Sequence, residues 1–393
     1  MLSIMIRGLG GAAAFALLAP TAAVAQEPVK IGLILPMTGP FTSTGKQITA
    51  AVHLYMQQHG DTVAGRKIEV ILRDDAGNAE ATKRLAQELI VNSHARIIAG
   101  FGLTPLALVA APLATQAKVP EIIMAAGTSI ITERSPYIVR TSFTVPQSAK
   151  VTAEWAAKNN IGKVVTLVTD YAPGHDAEAS FAEHYKAAGG QVLSALRVPL
   201  QNPDFAPFLQ RAADAKPDAI FVFVPSGPGA IVMKQYVERG MDKAGIKMIG
   251  TGDLTDDDIL PGYGDVALGI ITAHFYATAH PSPANKAYVE AFKKDNPGMR
   301  PNFMSVGGYD GMHLIYEGLK KTGGKDDGDT LVESMKGMKW ESPRGPIEID
   351  PQTRDIIQNV YVRKVERIDG ELQNAEFATF EAVKDPVKAA AAK

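Results

Sequence analysis

The side chains most often recruited for catalysis are scarce in this sequence, and where they occur their spacing does not fit the usual chemistries. There is no cysteine, which excludes disulfides, thiolate nucleophiles, Fe–S clusters and cysteine-ligated zinc. His175-Asp176 sets a base beside a carboxylate, but no second histidine stands at metal-ligand spacing, so the pair reads as a helix start or a polar cleft feature. Asp256-Asp257-Asp258 resembles half a calcium loop without its glycine and distal glutamate. It reads as a solvated helix start, where carboxylates favour the helix dipole. Gly100-Phe101-Gly102 lacks the third glycine of a dinucleotide fingerprint, and neither a phosphate-binding G-x-x-x-x-G-K-[ST] loop nor a G-x-S-x-G elbow occurs. Neither a cofactor nor a metal is expected.

What the chain does supply is hydrogen-bond donors on loops. Met37–Gly45, Gly100–Pro105 and Ala125–Ser129 are rich in Gly, Ser and Thr, as are Asp170–His175, Pro225–Pro228 and Thr251–Asp253 further on. Each follows a strand pattern and leads into a helical one. Free N–H groups and the helix dipole at such points favour an anion, although Thr44, Thr104 and Ser129 also fit plain N-caps. Helix capping alone does not explain several donor loops in one half of the chain faced by Tyr171, Phe223 and Asp253 in the other.

The elements that must position these loops alternate. Lys30–Pro36, Ile68–Asp75 and Arg96–Phe101 are almost continuously apolar runs, each followed by a helical pattern, and Val119–Ala126 begins a fourth unit. Such runs belong to parallel strands covered on both faces by helices. A second series of the same rhythm includes Lys163–Asp170, Gln191–Pro199, Asp218–Pro225 and Ile246–Gly250. The fold class is therefore α/β with two doubly wound lobes, and ligands in such sheets bind at the carboxyl ends of strands. From Ile347 onward two hairpin-like strands are expected, then an Ala- and Lys-rich disordered tail over 384–393.

The 393 residues exceed what one core usually organises, and 46% hydrophobic content is ordinary for soluble protein. A net charge of −2 leaves no electrostatic footprint for nucleic acid. Residues 1–25 read as a cleavable secretory signal: Arg7, an apolar run from Gly8 to Pro20, and the small-x-small site Ala23-Val24-Ala25. The run is about a dozen residues, short of the ~20 that span a bilayer. With no cysteine after it, a thioether lipid anchor is excluded, so an exported, freely soluble protein is expected.

At the donor loops the sequence resembles the extracytoplasmic solute-binding proteins of the Leu/Ile/Val-binding (type I periplasmic) family. The resemblance runs from Val29 to about Phe380 and is carried by IGLILPMTGPFTSTGKQITAAV, EVILRDDAGNAEATKRLAQELI, Val119–Ser129, VTDYAPG and GTGDLTDDD. It implies a monomeric, non-enzymatic receptor whose lobes close through a three-stranded hinge around a small carboxylate and deliver it to an ABC permease in the inner membrane. The lobes would comprise 26–144 with 277–350, and 145–276 with 351–383. It further implies that Leu103, Thr104, Ala126, Gly127 and Thr128 hold the carboxylate, with Thr104 and Thr128 as hydroxyl donors. The family's first aromatic wall falls at Thr44, where Phe41 substitutes, and its second matches Tyr171. Its acidic partner for an ammonium group falls at Gly252 or Asp253. An Asp253 facing the cleft suits a branched-chain-type amino acid. Facing away, it suits an aromatic acid, with Phe41, Phe101, Phe223 and Tyr276 free to stack on a ring. A secreted sensor of the same fold and a secreted hydrolase are the alternatives.

Overall fold

The computed structural model describes residues 27–391; the expected secretory signal lies outside them. The first sheet is built from β1 (Val29–Leu35), β2 (Thr62–Val63), β3 (Arg66–Asp74), β4 (Ile97–Gly100), β5 (Glu121–Ile123) and β6 (Ile138–Arg140). Its order is β2-β3-β1-β4-β5-β6, parallel except for the β2–β3 pair. Helices α1 (Thr42–His59), α2 (Ala79–Val91) and α3 (Thr104–Ala117) connect these strands. The strand interiors are apolar on both faces because helices cover both, as the fully buried Ile97–Gly100 run illustrates.

The second sheet begins after α4 (Val145–Lys158) with β7 (Lys163–Thr169), β8 (Gln191–Val198), β9 (Ala219–Phe223), β10 (Lys247–Thr251) and β11 (Ile271–His274). The linking helices are α5 (Ala172–Ala187), α6 (Ala206–Asp214) and α7 (Gly229–Glu238). The chain then returns to the first lobe: α8 (Pro283–Asp295) and α9 (Phe303–Lys321) pack on α1, and α10 (Gly328–Met335) packs on α9. It crosses back into β12 (Lys339–Ser342), β13 (Gly345–Ile349), β14 (Ile356–Ile368) and β15 (Glu371–Val383). The order is β12-β13-β14-β11-β10-β9-β7-β8, with β15 on β14. The short hairpin 339–349, grouped by the resemblance with the first lobe, hydrogen-bonds into the second sheet through β13 and β14.

The tail differs from expectation. Residues Pro386–Ala391 form a last helix, α11, and Lys388 within it is buried. Composition suggested disorder, but a buried ion pair with Asp355 ties the helix down. At the junction of the lobes the largest apolar core runs continuously through Phe143, Phe275 and Phe303. Their rings surround His274, which is 0% exposed. Burial, then the charges of Arg363 and Arg344, hold that imidazole well below its ordinary pKa, so it is neutral.

Candidate functional site

β4 ends at Gly100, whose φ of 110° and approach to the Ile34 carbonyl (a Cβ would lie 2.4 Å from it) exclude a side chain. Phe101 follows with φ 64° and turns its ring into the first-lobe core, in the cluster of Leu106, Ala126 and Ile131. Half-buried Leu103 caps α3 and Thr104 opens it. Beyond β5 the chain runs through Ala126, Gly127 and Thr128 into a 3-10 turn at Ser129–Glu133. The consequence of these two strand ends lying side by side is a hydroxyl pair: Thr104 Oγ1 and Thr128 Oγ1 are 2.8 Å apart and both residues are buried. Thr44, in the first turn of α1, directs its methyl at Gly102, where a Cβ would come within 3.3 Å of it. Gly127 rests against Phe143 and Val145. Half-buried Phe41 does not join this group closely; its ring lies over Gly77.

In the second lobe β7 hands over to α5 at Tyr171, whose ring stacks on Phe223 at 6.1 Å and 29°. Asp253 follows β10 and is 4% exposed, with Oδ2 accepting a 3.2 Å hydrogen bond from Thr251 Oγ1. Burial pushes its carboxyl up to about 7. The same carboxylate, after burial itself, raises the Tyr171 phenol, so the two groups share one neighbourhood. Tyr276 is fully buried at the lobe junction, where Asp257 and Arg300 lie near its phenol. The structure therefore groups Thr104 with Thr128, and Tyr171 with Phe223 and Asp253, while Phe101 sits in the core and Tyr276 in the junction.

Contacts between the lobes bracket these groups. Ser129 N–H donates to Asp176 Oδ2 of α5 at 2.8 Å, one residue beyond Thr128 and five beyond Tyr171. On the other side Ser43 Oγ donates to Asp258 Oδ2. Asn302, the N-cap of α9, donates Nδ2 to both oxygens of Asp256 at 2.9 and 3.1 Å. The Arg300 guanidinium stands 3.8 Å from Asp257. The triple-aspartate run is thus not a solvated helix start: Asp256 and Asp257 are 1% and 0% exposed. Their partners, remote in sequence, replace the water that an isolated acidic run would require.

Sequence reasoning also passed over Arg140, which is 0% exposed at the end of β6. It donates Nη2 to the Thr128 carbonyl at 2.7 Å and Nη1 to that of Phe143 at 2.9 Å. The only signal was an arginine closing the apolar Ile-Val-Arg run, where burial would demand partners. Ser43 and Asp176 each adjoin a residue already singled out, but nothing in the spacing revealed that Ser43 meets Asp258, and Asp176 meets Ser129, across the cleft.

Comparison with known proteins follows the same outline. The description "Periplasmic binding protein" belongs to a family whose profile matches residues 28–371. A solute binding protein of an ABC transporter from Rhodopseudomonas palustris BisB5, solved in complex with 3,4-dihydroxy benzoic acid, is 67% identical, with a TM-score of 0.90 over 92% of this chain and 99% of that one. Another from R. palustris, in complex with 4-hydroxybenzoate, is 42% identical, with a TM-score of 0.89 over 92% and 99%. Leu/Ile/Val-binding protein homolog 6 of Brucella melitensis biotype 1 is 44% identical over 374 residues, 94% of this chain and 95% of that protein.

Proposed function

The chain belongs to the periplasmic binding protein family, and from that premise we propose that it captures a ring-hydroxylated benzoate outside the inner membrane and presents it to an ABC importer. Among the described residues no helix is long and apolar enough to cross a membrane. The export signal expected over residues 1–25 supports a periplasmic location. The closing bodies are the first sheet with α8–α10, and the second sheet with the 339–349 hairpin.

The observation that carries the ligand class is the setting of Asp253, buried beside the stacked Tyr171–Phe223 rings and hydrogen-bonded to Thr251. An α-ammonium buried in the cleft needs a fully ionised partner, because an unpaired charge there is expensive. One oxygen of Asp253 is already engaged by Thr251, and burial opposes its ionisation in the ligand-free site. A phenolic hydroxyl makes no such demand, since it can donate to the ionised carboxyl or accept from the protonated one. Half-buried Tyr171, backed by the buried Phe223 ring of the core, offers a flat apolar face for an aromatic ring. The Thr104–Thr128 hydroxyls, at the starts of α3 and the following 3-10 turn, suit the carboxylate at the opposite end of the ligand. The 3,4-dihydroxybenzoate and 4-hydroxybenzoate complexes of its relatives support the same class.

Closure then follows from differential contact. A ligand touching donors of one lobe and rings of the other binds the closed arrangement better than the open one, and shifts the population by that difference. Calorimetry with 3,4-dihydroxybenzoate, 4-hydroxybenzoate, benzoate and leucine tests the assignment. Binding of the hydroxybenzoates and not of leucine is expected; leucine binding without any benzoate would overturn it.

A further inference from the structure

The C-terminal segment reaches the loop that carries Thr128 by two separate routes. Asp385 provides the first. Its Oδ1 accepts from Val387 N–H at 2.9 Å, capping α11, while its Oδ2 takes the hydroxyl of Ser129 at 2.6 Å. Ser129 therefore carries two carboxylates, with its N–H on Asp176 of the second lobe and its Oγ on the tail. Lys388 provides the second route. Its buried ammonium binds Asp355 Oδ2 and the hydroxyl of Thr132. The other oxygen of Asp355 lies 2.9 Å from Arg140 Nε, and this whole pair is removed from solvent.

Arg140 in turn gathers the carbonyl oxygens of the loop. Besides Thr128 O it reaches Ala126 O at 3.3 Å and Ser129 O at 3.5 Å, while Gly127 O accepts from Val145 N–H at 2.8 Å. A carbonyl dipole pointing into the cleft would repel a carboxylate, so a guanidinium that draws these oxygens to itself clears the approach to the Thr128 hydroxyl. The aim of that guanidinium depends on Asp355, and Asp355 is anchored on its far side by Lys388.

Resting on the hydroxybenzoate reading for the identity of the anion, we propose that Asp385 and Lys388 are positioning residues for ligand binding. The tail helix acts through Ser129 and through the relay Lys388–Asp355–Arg140 to hold loop 126–129 in its anion-receiving shape. Neither residue touches the ligand.

The test uses full-length Lys388→Met and Lys388→Arg, with a chain stopped after Lys384 as a third variant. Two readouts are needed: affinity for 4-hydroxybenzoate by calorimetry, and hydrogen exchange of the ligand-free proteins. The expected loss for Lys388→Met and for the truncation is about 5- to 150-fold, the usual range of coupling between separated sites. Amides of 126–132 should exchange faster while the sheets keep their protection. Lys388→Arg, which preserves the charge, should restore both readouts to about twofold of the parent. Unchanged affinity and unchanged loop exchange in Lys388→Met would overturn the proposal. So would faster exchange throughout the molecule, since that marks a merely structural role. If the parent protein binds no benzoate, the functional reading fails instead, and loop exchange still decides the relay.

Discussion

Thr128→Ala probes the anion site most directly. The side chain is 3% exposed and its hydroxyl is 2.8 Å from that of Thr104, so the substitution acts twice. With ligand present it removes a hydrogen bond to a charged group, costing about 1.5–3 kcal/mol. That corresponds to an affinity loss of about 10- to 150-fold. Without ligand it strands the Thr104 hydroxyl in a buried site, a penalty of about 1–3 kcal/mol that appears as a lowered melting temperature. The two effects separate in assay: calorimetry at constant pH gives the first, and thermal unfolding of the ligand-free protein the second.

Because the two hydroxyls are bonded to each other, their substitutions must not add. The Thr104→Ala, Thr128→Ala and double variants should show a coupling of about 0.5–3 kcal/mol in ligand affinity. Thr128→Ser, which keeps the hydroxyl, should bind far more tightly than Thr128→Ala. A dissociation constant for Thr128→Ala within about twofold of the parent would refute the argument, as would strictly additive single substitutions.

Other substitutions test the second lobe and the buried acids. Asp253→Asn should leave hydroxybenzoate binding within about tenfold, because the amide still offers a neutral partner to a phenol; a complete loss would show that an ionised carboxylate is required. Tyr171→Ala removes the stacked face over Phe223, and should weaken an aromatic ligand by about 0.5–1.5 kcal/mol from stacking plus the lost burial, read by calorimetry. Asp253 and Asp256 are both pushed up to about 7, chiefly by burial. A carboxyl raised in the folded state stabilises fully below its unfolded value, and that contribution is lost as pH rises through the folded one. The ligand-free melting temperature should therefore fall between about pH 4 and pH 7, where the unfolded chain has ionised these carboxyls and the folded protein has not, and Asp253→Asn should flatten part of the decline; a melting temperature that rises over this range would contradict the burial of the pair.

The architecture was legible because its cause is local. A strand such as Ala219–Phe223 is fully buried and has to be apolar along its whole length, so the α/β rhythm is printed in consecutive residues. The donor loops were legible for a related reason: strand ends and helix starts fix where Thr104 and Thr128 emerge. What the sequence concealed are groups whose environment is set by remote partners. Asp256 looked solvated because Asn302, its clamp, lies 46 residues away. The tail looked disordered because the ion pair that seats it joins Lys388 to Asp355 across 33 residues. The 339–349 hairpin is built of strands too short to show a period, and only its pairing to β14 assigns it to a sheet.

That division bears on how closure is achieved. The residues expected to meet the ligand lie on strand ends, yet two of the bonds that join the lobes, Ser129 to Asp176 and Ser43 to Asp258, are donated by their immediate neighbours. Ligand and lobe contacts are therefore stitched into the same loops. Moving Thr128 out of register moves Ser129 with it, so occupancy of the anion site and formation of the Ser129–Asp176 bond favour one another. Their coupling is reciprocal: a substitution that removes the interlobe acceptor, such as Asp176→Ala, should weaken the ligand although Asp176 is not proposed to touch it. Calorimetry showing parent affinity for Asp176→Ala, together with an unchanged scattering profile on ligand addition, would mean that the interlobe bond and the anion site are energetically separate.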